Sequence, residues 1–287
     1  MQSRFQSPNP PETAHCGIVL HPAGHTRSPA MHRAAYAALG LNADYEIFDV
    51  RPEELAQAMD SYRAHGLRQL AVSIPHKEAM LALVDEVEPV ARAIGAINTV
   101  TRVGERLIGT NTDWIGALRA LERETTLAGK RAVVLGAGGT ARAVVYGLRE
   151  RGAEVHVLNR TRERAESLVR ELGAASAGSL DALADLEPQI VVNTTSVGMN
   201  EDRSPVPASA LTEGMVVIDA VYAPEVTQLL ADTGARGGRA IGGKWMLVYQ
   251  AVEQLGRWTA SLEPAPSSAE LEHVTATMAK AFDDAVH

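Results

Sequence analysis

Apolar and polar positions alternate along this chain in short runs, and the period of the alternation switches repeatedly between two residues and about four. CGIVLHP (16–22) reads as a short buried strand. Ser28-Pro29 then opens a helix, with Ser28 as N-cap and Pro29 at the first helical position, where its missing N–H costs nothing. Apolar positions at Met31, Ala34, Ala35, Ala38 and Leu39 continue it, and Gly40 closes it. DYEIFDV (44–50) predicts a second strand and residues 52–66 a second helix. LAVSI (70–74) predicts a third strand, followed by a helix from about Pro75. A strand–helix–strand rhythm of this kind implies parallel strands with crossover helices. INTVTRVGERLIG (97–109) breaks the rhythm and predicts two strands joined by a turn at Val103-Gly104-Glu105.

A helix over about 112–125 leads into a second run. Strands are expected at 131–135, 154–158, 189–193, 215–220 and 239–241, with helices at 139–151, 162–172 and 225–234. This half reads as a doubly wound α/β sheet. Two further helices, 244–259 and 267–285, are separated by Pro264, Pro266 and Ser267. Residues 1–15 are polar and proline-rich, without the apolar region of a signal peptide, and are expected to form a disordered tail.

Composition narrows the function classes. Among 287 residues, 27 Lys and Arg face 35 Asp and Glu, a net charge of −8, and aromatics are only 4%. Nucleic-acid binding needs a clustered surplus of cations or stacking rings, so it is excluded as an expectation. No apolar run approaches the ~20 residues of a membrane-spanning helix. The single cysteine, Cys16, rules out an internal disulfide and a cysteine-built metal site, and fits a reducing, cytoplasmic setting. No metal-ligand spacing is present, and His32, His65 and His76 read as packing or surface histidines.

The strongest local signal is VVLGAGGTARA (133–143), a G-x-G-x-x-A pattern that follows a predicted strand and opens a predicted helix. Gly136 permits the tight turn, Gly138 lets a diphosphate approach the backbone, and Ala141 allows close helix–sheet packing. The helix N-terminus supplies N–H groups to the anion. At the end of the next strand, an NAD site would place an acid to hold the ribose hydroxyls. Here the chain reads Asn159-Arg160-Thr161, with Arg162 and Arg164 beyond. A guanidinium and a hydroxyl suit a 2′-phosphate, so NADP is the expected cofactor, with Arg142 adding to the same clamp. The alternative is that these arginines form a solvated helix face. Lys77, beside Glu78, and Asp113, at a helix start, likewise read in isolation as surface charges or caps.

Together, HTRSP (25–29), SIPHK (73–77), INT (97–99), NTD (111–113), GAGGTARA, NRT (159–161), VNTTSVGM (192–199), DAVYAP (219–224) and MLVYQ (246–250) resemble the shikimate dehydrogenase family in order and spacing, from about residue 16 to 260. The resemblance implies a discontinuous substrate domain, 16–112 with 246–287, and a Rossmann-like NADP-binding domain, 113–245. It implies NADP-dependent reduction of 3-dehydroshikimate to shikimate, with Lys77 and Asp113 catalytic. Thr26, Ser28, Ser73, Asn98, Asn111, Tyr222 and Gln250 would contact substrate. Gly136, Ala137, Gly138, Gly139, Thr140, Ala141, Arg142, Asn159, Arg160, Thr161, Thr195, Val221, Gly243 and Met246 would contact the cofactor.

Three positions depart from the family pattern: Ala71 stands where Asn is common, and Lys244 and Trp245 replace small uncharged residues. Two alternatives stay open at this point. One is a quinate/shikimate paralogue with another cyclic hydroxy acid or NAD as preference. The other is a non-catalytic sensor of a dinucleotide and a cyclic acid. A homodimer is also left open.

Overall fold

The computed structural model describes residues 13–24 and 26–285. The first twelve residues of the expected tail and His25 of the HTRSP motif lie outside them. Within the described part the tail is shorter than its sequence suggests. Strand β1, Ala14–Leu20, begins two residues inside it, because Ala14 and His15 pair with Ala43 and Asp44 of β2, Ala43–Asp49. Among the described residues, no helix is long and apolar enough to cross a membrane.

The chain divides into two compact units. One comprises residues up to 112 together with 248 onward, and the other is Asp113–Leu247. The second cut falls inside a continuous helix, α8 (Lys244–Thr259), two residues beyond the position expected from sequence.

The first unit is built on a six-stranded mixed sheet. Strand β3, Gln69–Val72, runs parallel to β1, and the two-residue β4, Glu86–Val87, lies at one edge. Strands β5, Thr99–Val103, and β6, Arg106–Thr110, form the expected hairpin, and β5 is antiparallel to β3. The strand order is β2-β1-β3-β5-β6-β4. Alternation along the strands gives the sheet two apolar faces. Helix α2, Leu55–Ala64, preceded by a 3₁₀ turn at Pro52–Glu54, brings Leu55 and Met59 into a core with Val19, Leu70, Val72 and Val100. On the opposite face, α1, Ser28–Leu39, covers Cys16 and Tyr45, with the His32 ring stacked on Tyr45 at a centroid distance of 4.3 Å, and α9, Ser268–Asp284, packs on α1. Helix α9 starts in a capping box, with Ser267 Oγ accepting from Glu270 N–H and Glu270 Oε2 accepting from Ser267 N–H.

Two expectations in this unit fail for identifiable reasons. The helix from Pro75 does not form. Instead a turn is followed by a 3₁₀ segment, Ala79–Ala82, then β4 and the short helix α3, Pro89–Ile94. The backbone there is committed to tertiary partners: His76 N–H donates to Ser73 O (2.9 Å) and Lys77 O accepts from Ile97 N–H (2.8 Å). Nor is Ser28 the N-cap of α1. The cap is Arg27, without a side-chain bond, and Ser28 N–H donates to Thr26 Oγ1 at 3.3 Å. This is a local turn bond to the first helical residue, and no side chain caps the helix.

The second unit carries six strands, all parallel: β7 (Arg131–Leu135), β8 (Glu154–Leu158), β9 (Ser176–Gly178), β10 (Ile190–Asn193), β11 (Val216–Asp219) and β12 (Arg239–Ile241). Their order is β12-β11-β10-β7-β8-β9. Numbered from the first strand of the unit, this is the 3-2-1-4-5-6 order of a doubly wound dinucleotide fold, which reverses between β7 and β10. Helices α5, Gly139–Glu150, and α6, Arg162–Leu172, connect β7 to β8 and β8 to β9. Helix α4, Asp113–Glu122, packs on α5, where a Cβ on Gly147 would stand 3.2 Å from Leu118 and 3.3 Å from Trp114, closer than ordinary van der Waals contact. Helix α7, Gln228–Ala235, starts three residues later than the sequence pattern suggests, at the Thr227 cap. Strand β9 escapes sequence reading because Ser-Ala-Gly carries no apolar alternation.

Candidate active site

In the second unit the site is built at the strand-order reversal. Gly136 leaves β7 with φ +111°, and a Cβ there would lie 2.6 Å from Thr194 Oγ1. Only glycine turns the chain here without strain. A Cβ on Gly138 would meet nothing within 4 Å. That open space lies directly before α5, whose N-cap is Gly138 and whose first turn has no side-chain cap. Ala137, Gly139 and Thr140 are half-buried around it, and Ala141 is fully buried against the sheet. A diphosphate fits this cradle: close approach to backbone is permitted, and the helix dipole favours an anion.

At the tip of β8 no acid is present. Asn159 Nδ2 donates to Thr161 O at 2.8 Å, fixing the entry to α6, while Arg160, Thr161 and Arg164 are exposed. Arg162 pairs with Glu166 at 2.9 Å along its own helix. The Arg142 guanidinium is mostly covered and pairs with Glu171 at 2.6 Å, which ties α5 to α6, while Arg160 is exposed at the strand tip. The pairing holds the Glu171 carboxyl below the usual range.

A buried network that sequence reading did not single out shapes the other wall. Asp219, at the end of β11, accepts from Asn193 Nδ2 (2.9 Å), Val221 N–H (3.0 Å) and Thr227 Oγ1 (2.7 Å). Burial pushes its carboxyl pKa up, and these bonds oppose the shift. Asn193 Oδ1 in turn accepts from Thr195 N–H and Oγ1 (3.0 and 2.7 Å). The loops that carry Thr195, Val221 and the half-buried Tyr222 are therefore anchored from beneath. Gly243 closes onto the same strand end: a Cβ there would stand 2.8 Å from Asp219 O and Ala220 O and 2.9 Å from Val221 O. Met246, 6% exposed, follows in the first turn of α8. The Arg123 guanidinium lies 4.0 Å from the centre of the Trp245 ring, so this departure from the family pattern is a cation–π contact.

In the first unit the candidate residues converge on the C-terminal ends of β1 and β3 and on the hairpin. The SIPHK turn is pinned by buried His76, whose Nε2 donates to Val50 O at 2.8 Å, and by Ser73 N–H donating to Val19 O at 2.9 Å. These bonds fix the backbone of Ser73 and of half-buried Lys77. Asn98 and Asn111 are both 1% exposed, and Asn111 Nδ2 donates to Ala96 O at 2.9 Å. Asn98 Nδ2 donates to Thr112 Oγ1 (2.9 Å) and Gln250 Oε1 (3.1 Å), which brings three motifs distant in sequence into one cluster. Thr26 and Ser28 sit together at the start of α1. Asp113, 5% exposed, opens α4, where a carboxylate complements the positive end of the helix. Ala71, paired with Thr99, offers only a methyl group where the family commonly has an amide.

One trio of metal-type side chains is brought together among the described residues: His15, Asp44 and Glu46, within 4.8 Å, across the β1/β2 pair. It is largely exposed, and a hydrogen bond joins His15 Nδ1 to Asp44 Oδ1 at 3.2 Å. Sequence spacing could not show it, since strand register creates it.

Residues 18–100 match the model of the shikimate dehydrogenase substrate-binding domain, and residues 118–202 match that of shikimate/quinate 5-dehydrogenase. A shikimate dehydrogenase (NADP(+)) of Haloarcula marismortui is 46% identical over 252 residues, covering 87% of this chain and 94% of that protein. The chain belongs to the shikimate dehydrogenase family. Among solved structures, shikimate 5-dehydrogenase from Thermus thermophilus, in complex with NADP(H) and shikimate, superposes with a TM-score of 0.85. It is 37% identical, covering 95% of this chain and all (100%) of that one. A 5-ketofructose reductase of Gluconobacter, in ligand-free form, superposes with a TM-score of 0.80 at 31% identity, covering 95% of this chain and 99% of that chain. The architecture of shikimate dehydrogenases therefore also carries a protein named for another substrate. Substrate choice has to be argued from the site and not from the fold.

Proposed function

We propose that this chain is an NADP-dependent shikimate dehydrogenase, interconverting 3-dehydroshikimate and shikimate in aromatic amino-acid biosynthesis. The observation that carries the reading is the joint presence, in a member of this family, of Lys77 and Asp113 on anchored backbone and of a strand tip with Arg160 and no acid. NADP, when bound, supplies or accepts the hydride. The glycine cradle at Gly136 and Gly138, with Ala137, Gly139, Thr140 and Ala141, would hold its diphosphate. Asn159, Arg160 and Thr161 would hold the 2′-phosphate, with Arg142 bracing the helix behind them. Thr195, Val221, Gly243 and Met246 shape the remaining wall.

For the substrate, the Thr26 and Ser28 hydroxyls at the start of α1 suit a carboxylate. Ser73, Asn98, Asn111, Tyr222 and Gln250 offer polar groups of the number and kind that a ring with several hydroxyls requires. Lys77 donates a proton to the reacting oxygen or takes it back, and its cationic form stabilises developing alkoxide charge. Asp113, the carboxylate that the family resemblance makes catalytic, would orient the ring hydroxyls. The single cysteine, buried and with its thiol pushed up to about 11, fits a reducing cytoplasm.

Steady-state kinetics of Lys77→Ala tests the assignment. Turnover is expected to fall by roughly 10²- to 10⁴-fold, the usual worth of a positioned acid–base group, while NADPH binding by fluorescence titration persists. Unchanged turnover would remove Lys77 from the chemistry, whereas absence of turnover in the parent would favour the non-catalytic sensor.

A further inference from the structure

The candidate substrate amides Asn98 and Gln250 are tied to buried polar side chains, Gln254, Gln69 and Thr112, that have no role in substrate binding so far. Asn98 is the hub. Its Oδ1 accepts from Thr112 N–H and Thr99 Oγ1, both at 2.8 Å, and its Nδ2 reaches Thr112 and Gln250. Its main-chain carbonyl accepts from two donors: Val72 N–H in the sheet (2.7 Å) and the side-chain Nε2 of Gln254 (3.1 Å). Gln254 is 2% exposed and lies four residues after Gln250 on α8, on the same helix face. Its own main-chain carbonyl accepts from Gln69 Nε2, which comes from β3. One helical turn therefore carries both the amide that touches Asn98's side chain and the amide that holds Asn98's backbone.

We infer that Gln254 is a positioning residue for substrate affinity. It locks α8 to the β3–β5 strand pair, so that Asn98 and Gln250 present their amides at a fixed spacing. The inference rests on the proposed function for what those amides bind. The physical case is the cost of the alternative. An amide buried this deeply is unfavourable unless hydrogen-bonded, and a leucine of similar volume would pack here without that cost. A glutamine here is useful for the geometry it imposes. Thr112 completes the lock, its Oγ1 donating to Gln250 O at 3.0 Å. Gln250 is thus held at its side chain by Asn98 and at its backbone by Thr112, and one turn on Gln254 ties the same helix to Asn98 and Gln69.

Gln254→Leu keeps the volume and removes the donor to Asn98 O. The KM for shikimate is expected to rise roughly three- to tenfold, the worth of one hydrogen bond, with kcat and the KM for NADP within about twofold of the parent. Gln254→Met, unbranched and of similar size, is the second variant and should show the same split. An unchanged shikimate KM in either folded variant would overturn the inference. So would a parallel rise in both KM values, or failure of both variants to fold, because the role would then be structural. Absence of shikimate turnover in the parent protein would be a failure of the functional reading itself, visible before any variant is made.

Discussion

The buried histidine of the first unit makes a quantitative prediction. His32 is fully buried, stacked on Tyr45 at 4.3 Å and tilted against Tyr36 at 5.9 Å. Neither ring nitrogen has a well-aligned hydrogen bond, although the Gln254 side chain is near enough to favour the charged form slightly. Desolvation lowers its pKa from 6.5 to about 3. The unfolded chain takes up this proton below pH 6.5, and the folded chain does so only near 3. Folding stability therefore falls as pH drops through 6.5 and keeps falling until about 3. At about 1.4 kcal/mol per unit, the loss from pH 7 to pH 5 is about 2 kcal/mol. That is a substantial part of a typical stability of ~5–15 kcal/mol. His32→Phe keeps a ring on Tyr45 and removes the titration. Urea unfolding of both proteins at pH 7 and pH 5 should show the parent losing about 2 kcal/mol more than the variant. His76 and His156, also lowered by burial, act on both proteins and cancel in the difference. Parallel pH dependences would refute the reasoning.

Two further outcomes concern the cofactor half. Asn159→Asp combined with Arg160→Ala should raise the KM for NADPH by about tenfold or more and lower that for NADH, since a charge-assisted phosphate contact is replaced by a carboxylate suited to ribose hydroxyls. Equal NADPH affinity would contradict the placement of the 2′-phosphate. Gly243→Ala should cost about 1–3 kcal/mol in chemical denaturation, because its Cβ would press on three main-chain oxygens that cannot swing aside, and it should weaken NADPH binding.

How far the sequence could be read depended on whether a feature was local. The turn at Gly136, the hairpin at 99–110 and the helix ends at Gly40 and Gly173 are set by neighbouring residues, and they were legible. The pairing of Arg142 with Glu171 was not, because α5 and α6 meet only after the sheet forms. The Asn193–Asp219–Thr227 network was hidden for the same reason, as was the Asn98–Gln250–Gln254 cluster that joins β5 to a helix about 150 residues away. The missing helix after Pro75 shows tertiary hydrogen bonds overriding a local pattern, through His76 to Val50 and Ile97 to Lys77. At the start of α1 the capping hydroxyl expected from Ser28 does not form: Ser28 lies inside the helix, and its N–H turns back to Thr26 Oγ1.

The central claim is a substrate and cofactor pairing, and the most direct test is the change in NADPH absorbance on crossing shikimate and quinate with NADP and NAD. The account predicts the highest kcat/KM with shikimate and NADP. Activity confined to quinate and NAD would contradict it.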